Sequence, residues 1–334
     1  MNGPALGPVT RVTRLAAAAL TLLAASSAAR AQSPGAAGTL AVDGARLSYQ
    51  ECGRGPAVVL VHDGVMGAAT WDAIWPDLCA RFHVLRYDRR GFGRSSAATR
   101  PFSQVADLAA LMADLGVAQA TVVGSSAGGG LALDLALAHP ERVERLVLLG
   151  PVVGGMGYTD HFIQRVLANL EPVRRGDLRE AARKQVDDRY MLVPGHDAAR
   201  RTVLATLLAT PQNLQNGLTN GGFEDRPAVP AAARLAEVRV PTLILVGEYD
   251  IPDVHAHAGA IEFGVWGARR EVVRDAGHLL QLEQPALLRD TLTAFVAETP
   301  VAAVPAERLQ AWAGTYAPRS SAISRAASMC GTAG

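Results

Sequence analysis

The chain has 334 residues, 49% of them hydrophobic and 19% charged, which supplies enough apolar surface for a large core. Its 32 basic and 31 acidic residues nearly cancel. No basic stripe or aromatic-interleaved patch stands out, so nucleic acid is excluded as the expected partner.

The N-terminus reads as a secretory signal over residues 1–31. Arg11 and Arg14 precede an apolar run that begins at Leu15, and Ala29-Arg30-Ala31 supplies a small-x-small cleavage site. The run is short for a bilayer span, which needs about 20 apolar residues. The expected product starts at Gln32, is exported to the periplasm or medium, and keeps no membrane span. Residues 32–39 read as a linker. Cys52 and Cys79 are candidates for a disulfide, but their spacing leaves open whether they meet, and the reading as small core fillers competes. Cys330 lies far from both.

From residue 40 the pattern becomes strand-like. Leu40 to Glu51 reads as a hairpin around Asp43-Gly44. Pro56 to His62 is an unbroken apolar run of the kind that is covered on both faces of a parallel sheet. A loop through Asp63-Gly64-Val65 follows, then a helix over Trp71 to Ala80 and a strand over Phe82 to Tyr87. The glycine-punctuated loop Asp88 to Ser95 leads to a helix that Ser103 caps and Gly116 ends. A strand at Thr121-Val122-Val123 then runs into Gly124-Ser125-Ser126-Ala127-Gly128. Helix, Pro140 and a strand over Val143 to Leu149 complete this half.

Residues 154–236 change rhythm. Helix-like stretches at Asp160–Leu170, Asp177–Asp188 and Ala198–Leu208 are separated by proline and glycine, which reads as an inserted helical cap. Strands resume at Val240 to Val246 and Arg270 to Arg274, and an amphipathic helix spans Glu283 to Val296. The core is thus expected at 40–153 and 237–297. Strands alternating with helices imply an α/β fold with a mostly parallel sheet. Residues 298–334 read as a disordered tail with one small apolar cluster at Leu309, Trp312 and Tyr316.

Gly124-Ser125-Ser126-Ala127-Gly128 has the form of a strand-to-helix turn that presents Ser126 above the sheet, with Ser125 as its neighbour. A serine hydroxyl needs a base. Of the eight histidines, His278 alone combines a strand-end position with a place after the serine in the chain. His255 and His257 follow Asp253, but further metal ligands have no source, so no metal is expected. The base needs a carboxylate to orient it. Asp250 ends a buried strand at the sheet's carboxyl edge; Asp253, three residues on, is the alternative. Oxyanion donors are expected from the Ala127 N–H and from the loop after the first long strand, where Gly64 leads and Val65 is second.

Taken together, Val61-His62-Asp63-Gly64 with Trp71, the loop Asp88 to Ser95, the Ser126 turn, Gly247 to Asp250 and Ala276-Gly277-His278 resemble, in this order, the motifs of the α/β-hydrolase superfamily. The resemblance covers about residues 40–297. It implies an α/β-hydrolase fold with an inserted helical cap and a serine hydrolase acting on a small-molecule ester or lactone, without metal or organic cofactor. The same residues also serve carbon–carbon hydrolysis or perhydrolysis in this superfamily, and some members bind ligands with little turnover. Serine in the nucleophile position departs from the haloalkane dehalogenase and epoxide hydrolase branches. Asp63 stands where many members have glycine, and its carboxylate is expected to point away from the oxyanion site.

Overall fold

Unbroken apolar runs make strands that are buried on both faces, and the period of two sorts their side chains. In β3 (Ala57–Val61), Val59 and Val61 join one core while Val58 and Leu60 join the other. The computed structural model describes residues 35–219 and 222–298, with the isolated Gly3. The signal, the first part of the linker, the tail beyond residue 298 and Cys330 lie outside the described residues.

The chain opens with β1 (Ala36–Val42) and β2 (Ala45–Cys52), joined at Asp43-Gly44, both with positive φ as a tight hairpin requires. β3, α1 (Trp75–Cys79), β4 (His83–Tyr87), α2 (Gln104–Asp114), β5 (Ala120–Ser125), α3 (Ala127–Ala138) and β6 (Val143–Leu149) follow. Four helices, α4 (Asp160–Arg174), α5 (Leu178–Asp187), α6 (Asp197–Ala209) and α7 (Gln212–Thr219), fill the interval before β7 (Thr242–Gly247). α8 (Pro252–Gly264), β8 (Arg269–Val273), α9 (Leu280–Glu283) and α10 (Pro285–Ala297) close the described chain.

The eight strands form one sheet in the order β1-β2-β4-β3-β5-β6-β7-β8. β1, β2 and β4 pair antiparallel; the pairs from β4–β3 through β7–β8 are parallel. Leu108, Leu111 and Met112 of α2, the apolar side chains of α3, and Val254 and Ile261 of α8 cover one face. Trp71, Leu78 of α1, and Leu288 and Leu292 of α10 cover the other. A third cluster belongs to the cap, with Val173, Ala181, Val186, Val203, Leu207 and Leu214 packed together with Met66 and Leu279. This is an α/β-hydrolase architecture, with the strands' carboxyl ends and the cap helices bordering one cavity.

Several boundaries differ from the sequence reading. Residues 36–39, expected as linker, are strand: Gly38 pairs with Tyr49, and a Cβ on Gly38 would fall 2.4 Å from the Tyr49 hydroxyl. Trp71 to Ala80 is a 3₁₀ turn over Ala68–Trp71 followed by α1, with Pro76 in the first turn of α1, where its missing N–H costs no intrahelical bond. The last helix begins at Pro285 rather than Glu283, which instead ends a separate short helix, α9. α4 runs on through Pro172 to Arg174, and α7 has no counterpart in the expected cap helices.

Cys52 and Cys79 are bonded, with their Cα atoms 5.3 Å apart, and tie the end of β2 to the end of α1. They lie 27 residues apart, a loop whose closure entropy corresponds to about 3–4 kcal/mol in the chain-entropy account. Urea unfolding of the Cys52→Ala/Cys79→Ala protein is therefore expected to show a loss of that size relative to the oxidised parent. Reductant should destabilise the parent similarly and leave the double variant unchanged.

Candidate active site

The turn after β5 is built from small residues because strand and helix nearly touch. A Cβ on Gly124 would fall 2.3 Å from the Gly128 carbonyl oxygen, and one on Gly128 would fall 2.4 Å from the carbonyl oxygens of Val61 and His62. Between them Ser126 has φ 53° and ψ −116°, a region that non-glycine residues rarely occupy. Its N–H donates to the Leu149 carbonyl at 2.8 Å, and its carbonyl accepts from Gly129 at 2.9 Å and Gly130 at 3.1 Å. The backbone is thus held from both sides while the side chain borders the cavity. Ser125 differs from its neighbour: it is fully buried, and its hydroxyl donates to Gln281 Oε1 at 3.4 Å.

Asp250 and His278 come together 28 residues apart in sequence. His278 Nδ1 lies 2.8 Å from Asp250 Oδ2, and Asp250 Oδ1 accepts the Ile251 N–H at 2.7 Å. The ionised carboxylate can only accept, so Nδ1 carries the proton and Nε2 is left with a lone pair. Burial pushes the imidazole toward its neutral form. The Asp250 charge and hydrogen bond, with a contribution from Asp63, outweigh burial and the opposing Arg165, so the His278 pKa is raised above its ordinary value. Asp253 lies elsewhere: Oδ1 accepts the Thr159 N–H at 2.6 Å and Oδ2 the Thr159 hydroxyl at 2.9 Å. It thereby fixes the start of α4, whose N-cap is Thr159.

Gly64 lies beside Ala127, since a Cβ built on Gly64 would be 3.7 Å from that of Ala127. The loop disposes of its other N–H groups. Asp63 Oδ1 accepts from both Val65 and Met66 at 2.8 Å. Among the described residues, the N–H groups of Gly64 and Ala127 have no such partner. Asp63 bends Oδ1 back onto its own loop, but Oδ2 is buried without a hydrogen-bond partner and the residue borders the cavity.

The cavity, about 500 Å³, is bordered by Ser126, Asp250, His278, Asp63 and Gly64. Phe162, Val166, Leu170 and Met191 of the cap give it apolar walls, with Arg165, Asn169, Gln185 and Arg226 as polar points. Elsewhere in the cap, Tyr190 does not border this cavity, Leu204 packs against the cap core, and Leu208 is exposed. Among the described residues no group of three or more His, Cys, Asp and Glu side chains could hold a metal. His257 accepts the Val153 N–H at 3.0 Å through Nδ1 and lies 3.3 Å from the Gly157 carbonyl through Nε2, which holds the entry to the cap.

Three positions escaped sequence reasoning. Gly150 has φ 48°, and a Cβ there would fall 2.9 Å from Asp250 Oδ2 and 3.1 Å from His278 Nδ1. Glu283, buried, accepts the Gly277 N–H at 2.7 Å and the Val193 N–H at 2.6 Å, so it ties the histidine loop to the cap. Asn213 of α7 donates to the Met66 carbonyl at 2.7 Å and accepts the Gly93 N–H at 2.9 Å, joining two loops of the core. None has a local pattern that marks it. The Pro151 that follows Gly150 is the sole hint of a sharp turn there.

A family model described as alpha/beta hydrolase fold matches residues 56–285. The chain belongs to this family. A 2-hydroxy-6-oxo-6-phenylhexa-2,4-dienoate hydrolase of Comamonas testosteroni is 27% identical over 253 residues, which is 71% of this chain and 86% of that protein. The carboxylesterase YbfK of Bacillus subtilis (strain 168) is 28% identical over 251 residues, 72% of this chain and 80% of that one. The crystal structure of a hydrolase from Pseudomonas aeruginosa PA01 superposes with a TM-score of 0.67 at 29% identity, covering 80% of this chain and all of that one. These relatives are hydrolases.

The His278 ring offers a direct check on the pair. An NMR titration should place its midpoint above the ordinary value of about 6.5. In Asp250→Asn the carboxylate that raises it is gone while burial remains, so the midpoint should fall. An unchanged midpoint would remove Asp250 as the cause.

Proposed function

We propose that the protein is a serine hydrolase that cleaves a small-molecule carboxylic ester or lactone through an acyl-enzyme. The observation that carries this reading is the convergence of Ser126, on its strained turn, with the Asp250–His278 pair on one apolar-walled cavity. In this reading the Ser126 hydroxyl attacks the carbonyl carbon and His278 Nε2 takes its proton. The negative oxygen of the tetrahedral adduct is held by the N–H groups of Gly64 and Ala127. The C–O bond to the leaving alkoxide breaks as His278 returns the proton. Water, deprotonated by the same imidazole, then attacks the acyl-enzyme and releases the acid. Asp250 holds the ring in the Nδ1–H tautomer throughout. The apolar cap wall favours substrates with an uncharged acyl or alcohol part.

The test is labelling with a fluorophosphonate probe and turnover of p-nitrophenyl acetate. Ser126→Ala should abolish labelling, and Asp250→Asn should lower kcat by about 10³–10⁴-fold. Asp253→Asn should retain most activity, because its partners are the Thr159 N–H and hydroxyl. Folded parent that takes up no label defeats the reading, and an Asp253 variant that alone loses activity transfers the acid role to Asp253.

A second reading is favoured by the Comamonas relative, whose named substrate has a ketone and no ester. The same residues would then act on a carbon–carbon bond beside a carbonyl. Side-by-side turnover of simple esters, lactones and vinylogous 1,5-diketones separates the two.

We also propose that the chain is exported. Arg11 and Arg14, the apolar run and Ala29-Arg30-Ala31 support it, as does the Cys52–Cys79 bond, since disulfides persist in oxidising compartments. N-terminal sequencing of the exported fraction should begin at Gln32. A chain that stays uncleaved in the cytosol overturns this.

A further inference from the structure

The peptide between Asp63 and Gly64 is gripped on its carbonyl side by two donors. Arg89 Nη2 donates to the Asp63 oxygen at 2.6 Å, and His62 Nδ1 lies 2.7 Å from the same oxygen. The Arg89 backbone N–H in turn donates to His62 Nε2 at 2.9 Å. An Nε2 that accepts leaves the proton on Nδ1, so His62 donates to the carbonyl. Burial and the neighbouring Arg89 charge hold this imidazole well below its ordinary pKa, in the neutral form that this arrangement needs.

A trans peptide points its C=O and N–H in opposite directions. No cis peptide bond occurs among the described residues. With the Asp63 carbonyl fixed toward Arg89 and His62, the Gly64 N–H is aimed the opposite way. The next two N–H groups, of Val65 and Met66, are occupied by Asp63 Oδ1. The loop therefore leaves one directed donor beside Ala127. The guanidinium that grips the carbonyl is buried, sits 4.8 Å over the Phe92 ring, and leaves its Nε without a hydrogen-bond partner. Its Nη2 hydrogen bond is thus spent on a neutral peptide and not on a carboxylate. A charged donor on the oxygen of a peptide polarises it and strengthens the hydrogen bond its N–H can give.

We infer that Arg89 is a positioning residue of the oxyanion site: together with His62 it sets the direction and the donor strength of the Gly64 N–H. This rests on the serine-hydrolase reading above. It assigns a role to the first arginine of Asp88-Arg89-Arg90-Gly91, whose second arginine is engaged in a buried pair with Asp107.

The test compares the full-length protein with Arg89→Met and Arg89→Lys. Four quantities are read: kcat and KM for p-nitrophenyl acetate, the inhibition constant of an alkyl boronic acid that forms a tetrahedral adduct on Ser126, and thermal stability. Removal of a whole oxyanion donor costs about 10²–10³-fold in kcat, so loss of its alignment in Arg89→Met should cost about 10–100-fold. KM should stay within about twofold, and boronate affinity should fall by the same factor as kcat. A lysine cannot reproduce the planar fork, so Arg89→Lys should lose both in parallel, by a smaller factor. A folded Arg89→Met with kcat and boronate affinity unchanged overturns the inference, as does a loss confined to KM. If Arg89→Met does not fold, Arg89→Lys decides: both values unchanged overturns it. Parent protein that neither turns over ester nor takes up a fluorophosphonate defeats the hydrolase reading itself. An active parent with unaffected variants defeats this inference alone.

Discussion

The close approach of β5 and α3 at Ser126 is the constraint on which the rest of the site depends. Two glycines four residues apart leave no room for a Cβ, and the backbone between them takes a positive φ that a serine adopts only when its surroundings dictate it. Those surroundings are the Leu149 carbonyl on one side and the Gly129 and Gly130 N–H groups on the other. Because α3 begins at Ala127, the Ala127 N–H has no partner within the helix, while those of Gly129 and Gly130 are taken by the Ser126 carbonyl. One geometric condition therefore produces both an exposed hydroxyl and a ready hydrogen-bond donor beside it. Gly128 also lies against the backbone of Val61 and His62, so the turn fixes where the loop carrying Gly64 can run.

The cap is anchored to this frame through polar contacts with named partners. Asp253 and His257 of α8 hold the entry at Val153 to Thr159. At the far side, the His278 N–H donates to the Tyr190 carbonyl at 2.8 Å, and Glu283 bridges Gly277 and Val193. The histidine loop is thus tied to the segment between α5 and α6, and a displacement of that segment would move the imidazole. Glu283 is buried, which favours its protonated form, while the two backbone N–H groups favour its charge.

Legibility followed the range of the physics. The strands were legible because burial on both faces leaves a long apolar run, and the turns at Asp43-Gly44 and Gly116 because positive φ selects residue type. Ser126, Asp250 and His278 stand out because each follows the carboxyl end of a strand, and the parallel sheet gathers such ends at one edge. What was illegible depends on pairing between distant segments. Residues 36–39 have the composition of a linker and become strand because β2 is there to bond with them. The choice between Asp250 and Asp253 could not be made by spacing, as both follow β7 closely; the turn at Gly247 to Asp250 and the position of Thr159 separate them. Gly150, Arg89 and Asn213 act only through residues far away in the chain.

Asp63 concentrates the remaining tension. A carboxylate next to a forming oxyanion opposes it, and the same charge favours an imidazolium on His278. In the proposed reaction, attack by Ser126 creates both charges at once, so Asp63 would assist one half of the charge separation and resist the other. The loop limits the resistance in two ways. One oxygen of the carboxylate is taken up by the Val65 and Met66 N–H groups, which draws negative charge toward the loop. On the carbonyl side of the same residue stands the Arg89 cation, whose attraction for a developing negative charge works against the repulsion. Charges of opposite sign thus flank a single peptide. Asp63 and the buried Arg89 thus act on the same peptide from its two sides, and each tempers the field the other would impose alone.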